Sequence, residues 1–372
     1  MTPAQIIALA TPVFLALMAL EFWIGVRRGR NTYRLNDALA SIGLGIVSQL
    51  VGVFSAAALL GIYSLVFDAL ALRPWPVDSL WTWFAALLLY DLCYYWKHRF
   101  GHTVALMWAA HVVHHQSEDY NLSTALRQTG SDWLAGWLFY LPLAVLGVPP
   151  LVLGAVTLID LLYQFWVHTQ QIGKLGWFDR WFCSPSNHRV HHAVNERYLD
   201  KNYGGILIVW DRLFGSFAEE DPSEPCVYGT RAPLRSWNPL WANLQIYREL
   251  LADAWRARAL TDKLKVFLLH PGWRPADVAQ DWPKPAFEFD KLRRYDPPLS
   301  RRAAGAAALL FVLALTGTAL FLWYAHQLGL AQQLGAASAI VLVLNAVAWS
   351  STSGARGRAA PHKGTPGRPE FP

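Results

Sequence analysis

His98-Arg-Phe-Gly-His102, His111-Val-Val-His114-His115, a single His168 and His188-Arg-Val-His191-His192 together hold nine of the twelve histidines of this 372-residue chain. On a helix, residues i, i+3 and i+4 share one face, with Cβ atoms roughly 5–6 Å apart. Each group can therefore aim two or three imidazoles at one point. A lone histidine is usually a satisfied structural residue, but three groups at ligand spacing are not explained that way. Eight grouped imidazoles exceed what one four-coordinate zinc needs, and they fit two metal ions better. His168 is then a ninth ligand or a residue that backs the ligands. Imidazole suits iron, zinc, copper and nickel, so ligand type alone leaves the metal open. The zinc-protease pattern His-Glu-x-x-His is absent, because no Glu follows the first histidine of any group.

Working outward, the surroundings are apolar: 54% of the residues are hydrophobic, 19 are Trp and only 16% are charged. That composition with long uncharged runs points to an all-α, polytopic membrane protein rather than a soluble domain. Cys93, Cys183 and Cys226 have neither disulfide-framework nor zinc-finger spacing and read as reduced thiols. The net charge of +6 is read through membrane topology, not as a nucleic-acid signal.

Pro3 to Val26 is a first apolar span, followed by Arg27, Arg28, Arg30 and Arg34. Basic residues after rather than before the apolar run make it a membrane helix with its N-terminus outside, not a cleaved signal peptide. Leu39 to Val66 is a second span, 67–79 an outer loop, and Leu80 to Trp96 a span that delivers His98 at the cytoplasmic surface. Trp133 to Leu146 and Leu151 to Val167 read as a short hairpin around Gly147-Val-Pro149-Pro150, barely crossing or re-entrant, which sets His168 level with the other groups. Ala303 to Ala325 and Ala331 to Trp349 close the membrane part, and the Gly/Pro/Arg-rich tail from Ser350 reads as disordered. Arg73 is the single basic residue in the proposed outer segments, and none falls in a proposed span. The histidines and the C-terminus are therefore assigned to the cytoplasmic side.

The chain divides into N-terminal transmembrane helices (1–79), a histidine-bearing catalytic domain (80–230), a cytoplasmic amphipathic region (231–302), C-terminal transmembrane helices (303–349) and a tail (350–372). Within 231–302, Pro239 to Trp255 carries Leu240, Trp241, Leu244, Tyr247, Leu251 and Trp255 at near-helical spacing beside Arg248 and Arg256. It reads either as a helix lying on the bilayer surface or as one packed on the cytoplasmic portion.

The three histidine groups resemble the signature of the fatty acid hydroxylase/sterol desaturase superfamily. Longer strings, Trp108-Ala-Ala-His111, Tyr120-Asn-Leu-Ser-Thr-Ala-Leu-Arg-Gln128, Tyr163-Gln-Phe-Trp-Val-His168, Asp200-Lys-Asn-Tyr-Gly204 and Trp210-Asp-Arg-Leu-Phe-Gly215, are similar to its alkylglycerol monooxygenase subgroup. The resemblance spans about residues 85–230. It implies a non-haem di-iron oxygenase held by the nine histidines, acting on a membrane lipid with dioxygen and an external electron donor. For the subgroup it implies ether-lipid cleavage with tetrahydropterin as donor, the alternative being a sterol or fatty acid hydroxylase or desaturase. In the third group the subgroup is expected to read His-His-Arg-Val-His-His, where this chain has Asn187 before His188.

Other candidates carry weaker arguments. Asn121 and Arg127 either contact a headgroup or cofactor, or serve as a helix cap and an ion-pair partner. Asp160, ionisable within an apolar run, is a candidate to back a ligand histidine. Asp211 does the same or pairs with a neighbouring Arg. His270, His326 and His362 stand alone and are left out of the site. A zinc hydrolase lacks its Glu base here, and a metal transporter would place its histidines within the spans rather than at their ends.

Overall fold

The computed structural model describes residues 2–353, and among them it is all-helical, with no strand. The first helix, α1 (Pro3–Arg27), starts in a capping box in which Thr2 accepts from the Gln5 amide while the Gln5 side chain accepts from Thr2 N. The second, α2 (Leu35–Leu70), is 36 residues long, about 54 Å at about 1.5 Å per residue. It therefore overruns the expected Leu39–Val66 span at both ends. The third, α3 (Leu80–Thr103), runs back and carries His98 and His102 in its last turns. Then come α4 (Ala105–His115) and the single turn α5 (Leu122–Ala125).

The apolar run from Trp133 does not form the expected continuous hairpin arm. Residues 132–140 are tight 3₁₀ turns, and only α6 (Leu141–Leu146) is α-helical. Pro142 has no N–H to give to the preceding turn, so the α-helix begins beside it. Gly147, at φ 101°, ends α6 where a Cβ would stand 1.9 Å from the Arg73 carbonyl oxygen; only glycine fits. That contact, with Trp75 N donating to Gly147 O at 2.9 Å and the Tyr63 hydroxyl to Val148 O at 2.8 Å, seats the hairpin tip on the loop between α2 and α3. From this tip α7 (Pro150–Trp166) runs beside α3, and both reach the histidines.

The polar portion contributes α8 (Phe178–Trp181), α9 (Pro185–His191), α10 (Val209–Leu213), α11 (Pro239–Arg256), α12 (Leu260–Leu268) and α13 (Ala276–Asp281). The chain closes with α14 (Arg301–Tyr324) and α15 (Leu330–Ser353). The proposed tail is helical at residues 350–353, and the remainder, with His362, lies outside the described residues.

Four helices, α1, α2, α14 and α15, are long and apolar enough to cross a membrane. Their exposed faces carry Leu9, Val13, Leu65, Leu309 and Leu342, which bury against one another nowhere and suit hydrocarbon. Expected as a span, α3 is not one of the four. It carries Asp91, Lys97 and its histidines, and most of its polar residues are shielded by the bundle. A core of Leu39, Ile46, Phe311, Phe321 and Leu344 joins α2 to α14 and α15. A second core, with Tyr90, Leu143 and Val152, joins α3 to the hairpin. For α11 both readings hold in part: Ala242 and Ile246 pack against Ala109 and Val112 of α4, while Leu244, Leu251 and Trp255 remain exposed.

Candidate metal centre

The nine histidines converge as two adjoining sets. His98 and His102 from α3, His111 and His115 from α4, and His191 from α9 form one. His114 from α4, His168 after α7, and His188 and His192 at α9 form the other. Within each set one ligand atom per residue lies within 4.8 Å of all the others. The spacing His111-x-x-His114-His115 thus divides between the sets: i and i+4 serve one and i+3 the other. The sets touch through His115 and His192, whose stacked rings have centroids 4.4 Å apart.

Backbone carbonyls orient these rings. Nδ1 of His98 donates to Tyr203 O at 2.8 Å, that of His114 to Arg127 O at 2.9 Å, that of His168 to Gln164 O at 2.8 Å and that of His191 to Lys201 O at 3.0 Å. A carbonyl only accepts, so Nδ1 holds the proton and Nε2 presents a bare lone pair. Yet His114 and His168, both held this way, face each other Nε2 to Nε2 at 3.1 Å, and His98 Nε2 stands 3.0 Å from His111 Nε2. His168 and His188, at 3.0 Å, and His188 and His192, at 3.2 Å, extend the pattern. Two acceptors do not bond each other, but a cation between them satisfies both. At a metal–nitrogen distance of about 2.1 Å, ligands at right angles stand roughly 3.0 Å apart. The buried Nε2 atoms of His102 and His191 have no hydrogen-bond partner, as ligand atoms would. The residues fit two metal ions. Burial lowers the His114 pKa to about 4 and, with help from neighbouring histidines, depresses those of His188, His191 and His192, so all four are neutral imidazoles near pH 7 and could bind a metal.

The supporting residues lie mostly in segments with little periodic signal. Residues 200–204 hold three ligands from one loop. Asp200 Oδ1 is 3.4 Å from His102 Nδ1, while the Lys201 and Tyr203 carbonyls accept from His191 and His98. Asp200 and Asn202 sit at φ 56° and 58°, conformations Asp and Asn tolerate better than most residues. Asp211 fixes this loop, accepting from the amides of Tyr203 and Gly204 at 2.7 Å. It acts two residues behind the ligands rather than as an Arg partner. Two turns before His98 on α3, Asp91 receives the Ile206 and Leu207 amides and the Trp210 indole. Arg189, between ligands on α9, grips Glu220 with two bonds of 2.7 Å and the Thr169 and Ile172 carbonyls at 2.9 and 2.8 Å. Spacing alone singled out neither Asp91, Asp200 nor Arg189; the quoted strings around Asp200 and His188 were the only signal.

The remaining candidates are placed as follows. Arg127 is fully buried, gives Nε to Val113 O at 2.8 Å, and offers its own carbonyl to His114. Asn121 caps α5 and donates to Thr32 O. Asn187 donates to the Asp179 and Phe182 carbonyls at 3.1 Å, so the position where a tenth histidine was expected faces a structural turn. Asp160 does not touch His168. It accepts from the Gln164 side chain at 2.6 Å, while the Gln164 carbonyl holds His168. His270 does not stand alone: its Nε2 is 3.3 Å from Asp200 Oδ2, behind His102. The pairing joins residues 70 apart across α12, which no local pattern reveals.

A cavity of about 440 Å³ opens at His98, His111, His114 and His168. One side is walled by Ile7, Phe14 and Leu15 of α1, Ile42 and Ile46 of α2, and Leu315 and Leu322 of α14. The lining also includes Lys97, Gln128, Thr129, Ser131, Asp132, Leu134, Ala135, Gly136 and Tyr247.

A bundle of apolar helices that carries all-imidazole ligand sets over an apolar-walled cavity defines a class. Residues 83–216 match the family model for fatty acid hydroxylases, and this segment supplies all nine histidines. The chain is similar to alkylglycerol monooxygenases. It is 42% identical to that of Homo sapiens over 267 residues, 72% of this chain and 59% of that protein, and 40% identical to that of Danio rerio over the same shares. An ornithine lipid hydroxylase of Rhizobium tropici is 32% identical over 148 residues, 37% of this chain and 42% of that one. A Delta(7)-sterol 5(6)-desaturase of Aspergillus fumigatus is 24% identical over half of each chain. The chain spans about three fifths of the length of the first relatives it matches. No solved structure matches it.

Proposed function

We propose that this chain is a membrane-bound di-iron oxygenase that hydroxylates a lipid C–H bond beside an ether oxygen. The observation that carries the reading is the pair of adjoining imidazole sets, four of whose rings are held by backbone carbonyls with Nε2 facing inward, opening on an apolar-walled cavity. His98, His102, His111, His115 and His191 would hold one iron, and His114, His168, His188 and His192 the other. Iron held so supplies dioxygen activation strong enough for an unactivated C–H bond, which amino-acid side chains alone do not. The protein's residues do the rest: α1, α2 and α14 enclose the chain in hydrocarbon, and the carbonyl-locked imidazoles keep their orientation.

The balance is R–CH₂–O–R′ plus dioxygen, two electrons and two protons, giving R–CH(OH)–O–R′ and water. The electrons come from an external donor, for which we assign a tetrahydropterin. The hemiacetal C–O bond then breaks to a fatty aldehyde and a glycerol. An ether carbon lies just below its headgroup, so the bilayer keeps the chain while the carbon reaches the histidines at the helix ends. The proposed topology keeps the N-terminus outside and the metal centre and C-terminus in the cytoplasm. Residues 80–230 are the catalytic domain, between transmembrane segments 1–79 and 303–349, with 231–302 as a cytoplasmic amphipathic region.

Metal analysis of purified protein should find two metals per chain, iron in the active form, and incubation with an alkylglycerol, dioxygen and tetrahydropterin should release a fatty aldehyde. A single metal overturns the dimetal reading. Hydroxylated fatty acid or sterol without aldehyde favours the second reading, a sterol or fatty acid hydroxylase or desaturase, to which the desaturase relatives point. Hydrolysis without dioxygen would indicate a zinc hydrolase, which the lack of a Glu after the first histidine of any group argues against; metal flux across vesicles would indicate a transporter.

A further inference from the structure

The cavity has a polar end that the metal chemistry does not use. Lys97, one residue before the ligand His98, gives Nζ to Asp132 Oδ2 at 2.8 Å. Its side chain is 21% exposed and that of Asp132 54%, so the pair stands at a mouth. It is a built contact. A Cβ on Gly136 would lie 2.8 Å from both Asp132 carboxylate oxygens and 2.9 Å from Lys97 Cε. Beside it are hydroxyls without charge: the Tyr247 hydroxyl donates to Ser131 Oγ at 3.0 Å, and Ser131 Oγ and Thr129 Oγ1 are 3.0 Å apart. All five residues line the same cavity as the histidines.

We propose that this mouth is the headgroup subsite, and that the Lys97–Asp132 pair selects an uncharged, hydroxyl-bearing headgroup over a phosphorylated one. The inference rests on the reading of the cavity as a lipid site. A diol can donate to the Asp132 carboxylate and accept from Lys97 and the hydroxyls at once. A phosphate monoester has no proton to spare for Asp132 at neutral pH and brings like charge against it. Lys97, the one cation among the described residues that line the cavity, is already paired with Asp132. Discrimination thus comes from the repulsive carboxylate more than from any attraction.

The test is equilibrium binding to the purified full chain in neutral detergent, read by tryptophan fluorescence, so that it does not depend on turnover. Hexadecylglycerol and hexadecyl phosphate share a chain and differ at the headgroup. The wild type should bind the diol at least tenfold more tightly, and Asp132→Asn should tighten hexadecyl phosphate about tenfold and erase that preference. Asp132→Glu, which keeps the charge, should retain it. Equal binding of the two amphiphiles by the wild type, no binding of either, or an unchanged ratio in Asp132→Asn overturns the proposal. Diol-selective binding with no aldehyde formed supports this subsite while rejecting the oxygenase reading.

Discussion

Asp200 stands with one carboxylate oxygen 3.4 Å from Nδ1 of the ligand His102 and the other 3.3 Å from Nε2 of the exposed His270. A carboxylate behind a ligand histidine orients the ring and raises its basicity, and removing such a partner costs about 10–100-fold in metal affinity or activity. Asp200→Ala is therefore expected to lower metal affinity by about that factor, read by chelator competition. His270→Ala should cost less, since its contact is exposed and indirect. The ligands themselves should behave differently. His114→Ala or His191→Ala should abolish turnover and lower the metal content while the protein still inserts in the membrane, because insertion depends on the apolar helices. Near wild-type turnover in His114→Ala would make the cluster structural.

At the scale of the element, α9 is seven residues long, too short to be stable by itself. It carries His188 and His191, with His192 as its C-cap, and it is fastened at its start and through Arg189. Ser184 caps it with Pro185 in its first turn, and Arg189 reaches out to Glu220 and two carbonyls. Burial alone would raise the Glu220 pKa, but the hydrogen bonds and charge of Arg189 hold it below the usual carboxylate value. Arg189→Ala leaves that carboxylate uncompensated and two carbonyls unpaired, a loss of about 3 kcal/mol. The thermal midpoint should fall by several degrees and the metal of the His188–His192 set should be lost first; unchanged metal content would show that α9 needs no such clamp.

For the whole molecule, buried neutral histidines link stability to pH. Those at positions 114, 188, 191 and 192 have folded pKa values below the ordinary value, whereas in the unfolded chain they titrate near 6.5. As pH drops through about 6.5 the unfolded chain takes up protons that the folded one refuses, so stability falls on acidification. The metal-free protein should thus show a thermal midpoint that is nearly level from pH 8 to about pH 7 and declines from there to pH 5. Bound metal should raise the midpoint at pH 8 and be lost on acidification as protons compete for the imidazoles. A metal-free midpoint that is flat over this range would contradict the burial of the histidines as neutral bases.

Much of this was legible in order along the chain. Membrane helices announce themselves as long uncharged runs, because every residue that faces hydrocarbon must be apolar. Histidine ligands announce themselves at i, i+3 and i+4, because the helix repeat sets which side chains share a face. The eight grouped histidines could be named on that basis and His168 only from its place at the end of the hairpin, and α1, α2, α14 and α15 lie close to the runs that signalled them. The partition of the nine into five and four was not legible, since His111 and His115 go one way and His114 the other. That depends on how α4 is rotated between α3 and α9. Nor were the contacts of Asp91, Asp200 or His270, which join residues 70 or more apart in sequence. The broken hairpin arm before Leu141 followed from Gly136 and Pro142 acting against an apolar run. Periodicity determines which atoms are available to a site, but only tertiary packing decides which of them meet, because the energy that brings them together is spread over contacts between distant segments.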